Sequence, residues 1–192
     1  MRWAVLAIAG AVLCTVGDHL HATQGVLVYR HVVAWDQDGW VPLLFAAASI
    51  VTVLGARPFV AWGRRVEQAA PLDARLIAAD GIGFFLAYTY TAFAPHDRPD
   101  VTLAVLGGAF LVRVLGERRP AWLVVYCLVL GVGGVLTEAA IAATGAFRYL
   151  HPDLLGTPRW LAGIYWHAGL LSGGLASSLF AARSGAFSRA AP

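Results

Sequence analysis

The chain has 192 residues, of which 59% are hydrophobic and 13% are charged, and its formal net charge is +3. A water-soluble domain of this length cannot bury so much apolar surface, so the composition excludes an ordinary soluble protein and indicates an integral membrane protein. All 14 basic residues are arginines, and they lie at the ends of apolar runs, as membrane topology requires. The basic balance therefore does not indicate a nucleic-acid partner.

Six apolar runs follow one another along the chain, and a membrane-spanning helix needs about 20 such residues. The fourth run is the shortest and carries Arg113 near its end, where a long side chain can reach the membrane interface. The sequence predicts an all-α integral membrane protein, a six-transmembrane-helix bundle that forms a single domain over residues 1–192. The predicted spans are 3–20, 41–61, 76–93, 100–115, 121–143 and 159–182.

The arginines are distributed unequally between the two ends of these spans. If the spans alternate in direction, ten arginines lie on one side and four on the other. Cytoplasmic loops carry an excess of basic residues, so this count places both termini in the cytoplasm. A chain without lysine that is rich in alanine, glycine and valine is typical of a GC-rich bacterial genome. We therefore expect a bacterial cytoplasmic membrane, or the endoplasmic reticulum membrane if the source is eukaryotic.

Proline and glycine positions indicate how the helices are arranged. Five of the nine prolines lie at or just before predicted helix starts, where a missing N–H costs little, and none lies at mid-span; the five are Pro42, Pro71, Pro99, Pro120 and Pro158. The sequence therefore predicts continuous helices, and we find no strong internal repeat in it. Small residues gather in the later helices, and "GLLSG" at 169–173 permits close helix packing, either inside one bundle or between copies in a homo-oligomer.

Polar side chains in the predicted spans are concentrated at one level, in the outer half of the bundle. An ionisable residue in a span is costly unless it faces the bundle interior, so it indicates a functional site by default. Asp80 lies apart in the inner half, with Arg75 and Arg113 as candidate partners. Most of the aromatic residues near the outer boundary are expected to form an interfacial belt; these residues are Tyr29, Trp35, Trp40, Tyr149, Trp160, Tyr165 and Trp166. The candidate ligand-binding residues are Asp18, His19, Tyr88, Tyr90, Glu138, Trp166 and His167.

Three interpretations of this polar level remain open. Glu138 could be protonated and bonded to Tyr88 or Tyr90, so that it joins helices and does nothing else. The His, Asp and Glu residues could bind a metal, but His19 and His21 lie about 200° apart around the helix, and no H-E-x-x-H motif is present. We therefore predict no metal and no cofactor. A cavity with apolar walls and polar groups at one level would suit an amphipathic lipid.

The segment "GAFRYLHPDLLGTPRWLAG" at 145–163 resembles the loop between the last two helices of the Insig (insulin-induced gene) proteins. The stretch "GWVPLLFAAASIVTVLG" is similar to the start of the second helix in that family, and "LGERRPAW" to its short charged loop between helices four and five, with Glu117 at an acidic position. The resemblance covers most of the chain in order. The matching positions in the first segment are Gly145, Tyr149, Pro152, Asp153, Leu154, Leu155, Arg159, Trp160 and Leu161.

This resemblance implies a six-helix bundle without enzymatic activity that regulates lipid homeostasis. Insig proteins bind oxysterols and hold sterol-sensing membrane proteins, so it implies a membrane lipid ligand, sterol-like or diacylglycerol-like. It also leaves open a membrane-protein partner, with Glu117 and Asp153 as candidate contacts. A glutamine in the fifth helix of the family lies near the position of Glu138, which implies a pocket role for this residue. The alternative is a membrane-embedded, metal-dependent lipid-modifying enzyme that uses the outer His, Asp and Glu residues.

Overall fold

Helices account for nearly all of the regular structure in this computed structural model, which describes residues 1–67 and 72–187. Two strands of three residues each lie between helices and were not predicted. The elements in chain order are α1 (Arg2–Thr23), β1 (Leu27–Tyr29), α2 (Val41–Gly55), α3 (Arg57–Val66), α4 (Ala74–Phe93), α5 (Pro99–Gly116), α6 (Ala121–Ala143), β2 (Phe147–Tyr149) and α7 (Leu161–Phe187).

Five helical segments are long and apolar enough to cross a membrane, namely α1, α2 together with α3, α4, α5 and α6. The sixth predicted span corresponds to α7, which is not among the five because His167 and several serines and glycines interrupt its apolar sequence. The chain is thus a helical membrane protein with five or six apolar helices.

The second predicted span is not one continuous helix, because α2 and α3 are separated at Ala56. Pro58 has no N–H and cannot donate to the carbonyl of Leu54, so the helical hydrogen-bond ladder is interrupted there. The break lets α3 pack on α6 and α7, where the Trp122 ring lies against Gly63 so closely that a Cβ on Gly63 would be 2.1 Å from the ring. The predicted span 41–61 thus consists of two consecutive helices, which together form one of the five apolar segments long enough to cross a membrane.

The chain contains an internal repeat that the sequence analysis did not find. The unit α1–β1–α2 recurs as α6–β2–α7, and the two strands begin 120 positions apart, at Leu27 and Phe147. In both copies the first helix is followed by a glycine with positive φ, which is 71° at Gly25 and 77° at Gly145. This backbone conformation is one that glycine adopts without steric cost. In both copies an isolated bridge closes the turn after the strand, and these bridges are Ala34–Gln37 and Leu154–Thr157.

The two strands pair with each other and relate the two copies. They are antiparallel, and Val28 lies opposite Arg148, which is its own equivalent in the repeat. An approximate two-fold axis therefore passes through this pair. Successive side chains of a strand point to opposite faces, and Leu27, Phe147 and Tyr149 turn their common face into the bundle, where they are buried. The two paired strands form a ribbon, β1–β2, which closes one end of the bundle. We call this end the strand end.

The hairpin of α4 and α5 lies between the two copies in sequence and breaks their symmetry in space. It packs on α7, which also contacts α2, α3 and α6, so that α7 lies at the centre of the bundle. The helices alternate in direction, and α1 begins and α7 ends at the end opposite the strands. Large apolar side chains cover the outside, as a lipid environment requires, and they include Val5, Ile8, Leu43, Val51, Ile82, Leu111, Val112 and Val132.

Candidate functional site

The two copies of the repeat and α4 surround a cavity with about 940 Å³ of unfilled space, part of it open to the outside. We call it the central cavity. Its walls come from α1, α2, α4, α6, α7 and both strands. Polar side chains line it at the strand end and a few hydroxyl groups line it further in, while most of the wall is apolar. The apolar lining includes Leu6, Phe45, Val53, Phe84, Ile164 and Leu171.

Asp18 of α1 lies at the strand end of the central cavity and is 5% exposed. Its Oδ2 accepts hydrogen bonds from the Tyr29 hydroxyl at 2.5 Å and from the Gln37 amide at 2.9 Å. Its Oδ1 accepts a longer bond of 3.4 Å from the Tyr88 hydroxyl. The Gln37 amide also donates to the Thr15 carbonyl, which holds it in place. These donors offset part of the cost of burying the carboxylate.

Glu138 of α6 occupies the equivalent place in the second copy of the repeat. Its Oε1 accepts a hydrogen bond from the Tyr165 hydroxyl at 3.0 Å, and its Oε2 accepts one from the Tyr149 hydroxyl at 3.3 Å. Tyr149 follows Glu138 by 11 positions, as Tyr29 follows Asp18. The repeat therefore brings two carboxylate–tyrosine pairs to the same end of one cavity.

The tyrosines of the ribbon act as donors because they keep their protons. Burial, together with the nearby Asp18 carboxylate, raises the pKa of Tyr29. Burial and the Glu138 carboxylate raise the pKa of Tyr149 in the same way. Both phenols thus remain neutral at physiological pH and point their O–H groups at the carboxylates.

His21 also lines the strand end of the central cavity but bonds to neither carboxylate. Its Nδ1 donates to the Gly17 carbonyl at 2.9 Å, and its Nε2 lies 2.9 Å from the Thr91 hydroxyl. The ring stacks near Tyr88 and Trp160, with centroid distances of 4.8 and 6.2 Å. These contacts tie α1 to α4 and to the start of α7.

Away from the strand end, the hydroxyl groups in the cavity wall are bonded to backbone carbonyls. The side chains of Ser49, Thr52 and Ser172 each donate to a carbonyl in their own helix. Tyr126 of α6 donates to the Thr52 carbonyl at 2.6 Å and lies 3.1 Å from the Ser172 hydroxyl. Tyr126 therefore ties α2, α6 and α7 together beside the deeper part of the cavity.

Three of the seven predicted ligand-binding residues line the central cavity, namely Asp18, Tyr88 and Glu138. Four aromatic residues that were expected in an interfacial belt turn inward to this site instead. Tyr165 of α7 and Trp160, directly before α7, line the cavity, and the two ribbon tyrosines bond to its carboxylates. Gln37 was not predicted as a site residue. It lies in the loop after β1, and no sequence pattern indicates that its side chain turns inward to bond with Asp18.

His167 and Trp166 of α7 do not line the cavity. His167 is 1% exposed, accepts a hydrogen bond from the Arg113 guanidinium at 3.0 Å through Nδ1, and donates to the Leu106 carbonyl at 3.2 Å through Nε2. Trp166 packs beside Phe110, with ring centroids 5.7 Å apart. Both side chains therefore serve the packing of α7 against α5.

Tyr90 and His19 also face away from the central cavity. Tyr90 lies two positions after Tyr88, about 200° further around α4, and packs against the apolar cluster near the ribbon. His19 follows Asp18 by about 100°, and its Nδ1 lies 2.8 Å from the Trp35 carbonyl in the loop after β1. The helical rotation therefore separates each from a neighbour that does line the cavity.

The two candidate partner-binding acids are engaged within the chain. Glu117 accepts a hydrogen bond from Arg119 Nε at 2.6 Å. Asp153 accepts hydrogen bonds from the backbone N–H of Arg159 at 2.6 Å and from its Nε at 2.5 Å, which shapes the turn before α7. A role in binding a partner stays a prediction for both.

Asp80 of α4 is fully buried near the end of the bundle opposite the strands. Its Oδ1 pairs with Arg113, as expected, and accepts a hydrogen bond from Arg119 at 2.8 Å. Arg75, the other expected partner, is not among the ion-pair partners of Asp80 in the described residues, and its backbone N–H bonds to the Asp73 side chain at the start of α4. The loop before α6 supplies the second arginine.

No three His, Cys, Asp or Glu side chains converge as metal ligands within residues 1–67 and 72–187. The two carboxylates of the central cavity are instead surrounded by hydroxyl and amide donors. This donor set can hold two acidic groups beside an apolar space.

No family model matches the chain. Over 180 residues it is 30% identical to an INSIG protein homologue of Mycolicibacterium vanbaalenii, covering 88% of this chain and 81% of that protein. Its fold is similar to the crystal structure of a mycobacterial Insig homologue from Mycobacterium vanbaalenii, with a TM-score of 0.74, 24% identity and coverage of 91% and 92% of the two chains. A cross-linked trimer of a cysteine variant of that homologue gives 0.74, 23% identity and coverage of 93% and 94%. The chain therefore belongs to the Insig family.

Proposed function

We propose that this protein is a non-enzymatic membrane protein that holds a sterol-like or diacylglycerol-like lipid in its central cavity, as an Insig-like regulator of lipid homeostasis. The observation that supports the proposal is the meeting of two carboxylate–tyrosine pairs, Asp18–Tyr29 and Glu138–Tyr149, at one end of an otherwise apolar cavity. The polar end of a lipid would lie beside the carboxylates, and its apolar part would follow the inner wall.

The arginine distribution supports an orientation for this lipid. The end of the bundle opposite the strands holds most of the arginines, so we place it, with both termini, in the cytoplasm. The strand end and the polar part of the cavity then lie toward the other membrane surface. A lipid would enter from the outer leaflet with its polar end near the ribbon.

The contacts of the acidic residues favour binding over catalysis. Hydrolytic sites place a nucleophile within hydrogen-bond reach of a base that a third group orients. Here Asp18 and Glu138 accept bonds from tyrosine and glutamine side chains, and the cavity histidine, His21, is held by Gly17 and Thr91. We propose no catalytic step for this arrangement.

A homo-oligomer is part of the proposal, since the mycobacterial homologue has been crystallised as a cross-linked trimer. Gly169 and Gly173 pack within the bundle, against Cys127 and Leu123 of α6. The space beside Gly108 of α5 is open, as it is beside Gly133 of α6. A contact between copies would therefore use the outer faces of α5 and α6 and not the "GLLSG" face.

The experiment is mass spectrometry of lipid extracted from protein purified gently from its membrane. Replacing Glu138 with Leu removes a charged acceptor worth about 1.5–3 kcal/mol, so we expect about tenfold less lipid per folded protein. The matched control is Glu117→Leu, which removes an acid far from the cavity. Equal lipid in both variants would count against the proposal, and a bound transition metal with a chemically altered lipid would favour the enzyme alternative.

A further inference from the structure

The hydroxyl protons in the wall of the central cavity are all used by the protein. Tyr88 donates to Asp18, and Tyr149 and Tyr165 donate to Glu138. The hydroxyls deeper in the cavity donate to helix carbonyls, as described above. What these groups present to the space inside is therefore oxygen lone pairs, which can accept hydrogen bonds but not donate them.

The two carboxyl groups add negative charge to this set of acceptors. Each of their four oxygens accepts at least one hydrogen bond, which is the pattern of an ionised carboxylate. Among the ion pairs of the described residues, none includes Asp18 or Glu138. The strand end of the cavity thus holds two buried charges whose partners are all neutral, and a ligand with donor groups would stabilise them.

The two carboxylates line the same end of one cavity, and their tyrosine donors are neighbours in the ribbon. Tyr29 lies opposite Phe147 in the ribbon, so Tyr29 and Tyr149 are diagonal neighbours across the two strands. The Cα atoms of such diagonal neighbours are about 7–8 Å apart. Both point into the bundle and end on the carboxylates. A polar head that carries two donors would therefore meet both carboxylates, Asp18 and Glu138, at this end of the cavity.

We infer that the central cavity selects amphipathic molecules whose polar end donates hydrogen bonds and carries no negative charge, and that it rejects acids with the same apolar chain. This inference rests on the proposed function and adds the class of head group. Asp18 and Glu138 are the residues that determine the specificity. A neutral diol or an amine meets the requirement, whereas a carboxylate or phosphate would face two like charges at a place where every hydroxyl of the wall already donates to the protein.

The test compares three probes that share one oleoyl-type chain: monooleoylglycerol, oleylamine and oleate. Each is offered to the delipidated full-length protein in detergent at pH 8, where oleate is ionised, and the retained probe is measured by mass spectrometry. We expect the diol and the amine to be retained at least about tenfold more strongly than oleate, because like charges in a buried site cost at least this much. The comparison of diol with amine shows whether neutral or cationic heads are preferred.

The variants Glu138→Gln and Asp18→Asn test whether the carboxylates determine the selectivity. Each replaces a charged carboxylate, which only accepts hydrogen bonds, with a neutral amide that also donates them. We expect oleate retention to rise and amine retention to fall, with monooleoylglycerol retention reporting that the cavity is intact. Glu117→Gln is the control and leaves the ratios unchanged. Equal retention of oleate and monooleoylglycerol by the unaltered protein, or unchanged ratios in both cavity variants, would overturn the inference alone. Retention of none of the three would overturn the proposed function as well.

Discussion

Asp18 and Glu138 are the same position in the two copies of the repeat, and each accepts a hydrogen bond from the tyrosine 11 residues further along the chain. Neither copy forms the site by itself. The helix supplies the acid, the strand supplies the donor, and pairing of the two strands brings both acids to one cavity. The polar end of the cavity is therefore built by the same contact that relates the two halves of the fold.

Substitution of Gly134 tests the coupling between helix packing and this site. A Cβ at Gly134 would lie 2.3 Å from the ring of Tyr165, which donates to Glu138. We expect Gly134→Ala to displace the ring, to weaken lipid retention and to cost about 1–3 kcal/mol of stability. The control is Gly55→Ala at the end of α2, since no atom of another residue lies within 4 Å of the Cβ it would add. Thermal unfolding and lipid content should separate the two variants, and equal behaviour would contradict the described packing.

The ion pairs of Asp80 with Arg113 and Arg119 should be a major source of stability at the end of the bundle opposite the strands. Asp80→Asn removes the charge that pairs with Arg113 and Arg119, both largely buried. Breaking a buried pair leaves the remaining charge uncompensated, so we expect a loss of about 3–5 kcal/mol in the free energy of unfolding. Asp36→Asn, at a side chain that is 62% exposed and lies 3.9 Å from His19, should cost less than about 1 kcal/mol. Denaturation in detergent measures both, and a smaller loss for Asp80→Asn than for the control would refute this assignment.

His167 should affect stability and leave lipid content unchanged. His167→Leu removes the acceptor for Arg113 and the donor to Leu106, and we expect a loss of about 1–3 kcal/mol. Because His167 does not line the central cavity, lipid per folded protein should match that of the unaltered chain. The lipid measurement used for Glu138→Leu checks this, and a loss of lipid from the folded His167 variant would mean that His167 does reach the ligand.

The stability of the strand end should fall in mild acid because of His96. Its ring stacks on His151 with centroids 5.5 Å apart, and burial, together with His151, lowers the pKa of His96. The folded state then binds a proton less readily than the unfolded state, whose histidine pKa is about 6.5. The contribution of neutral His96 to the free energy of unfolding is therefore complete above a pH of about 6.5 and is lost as the pH falls below it. The melting temperature of the unaltered protein should therefore drop more between pH 7.5 and pH 5 than that of His96→Gln, and equal drops would exclude this role.

The depth of the polar groups could be predicted from the sequence, but the direction in which each one faces could not. Hydropathy set the predicted boundaries of the fifth span at 121–143, which are those of α6, and alternation of the spans placed Asp18 and Glu138 at one level. Each residue turns the helix by about 100°, so Tyr88 and Tyr90 share a level but face different neighbours. Only the packing of α7 against α5 decides that His167 turns away from the cavity.

The repeat and its ribbon were hidden because little of the sequence is shared. Few residues are identical at the offset of 120, and the corresponding helices share only scattered small and apolar residues, such as Val12 with Val132 and Ala48 with Ala168. Strands of three residues are too short to give an alternating pattern that a hydropathy reading can detect. The identical pairs near the turns are Gly25 and Gly145, Tyr29 and Tyr149, His31 and His151, and Trp40 and Trp160.

The central position of α7 has a consequence for how the protein is made. Lipid-facing helices can partition into a bilayer one at a time, but α7 follows α1 to α6 in the chain and carries His167, serines and glycines, which are unfavourable in contact with acyl chains alone. Its polar groups find partners on helices that have already been inserted, such as Arg113 of α5 and Tyr126 of α6. Insertion of α7 therefore depends on α5 and α6 already being in place. Substitutions that disrupt α5 or α6 are expected to reduce the insertion of α7 before they change any other property.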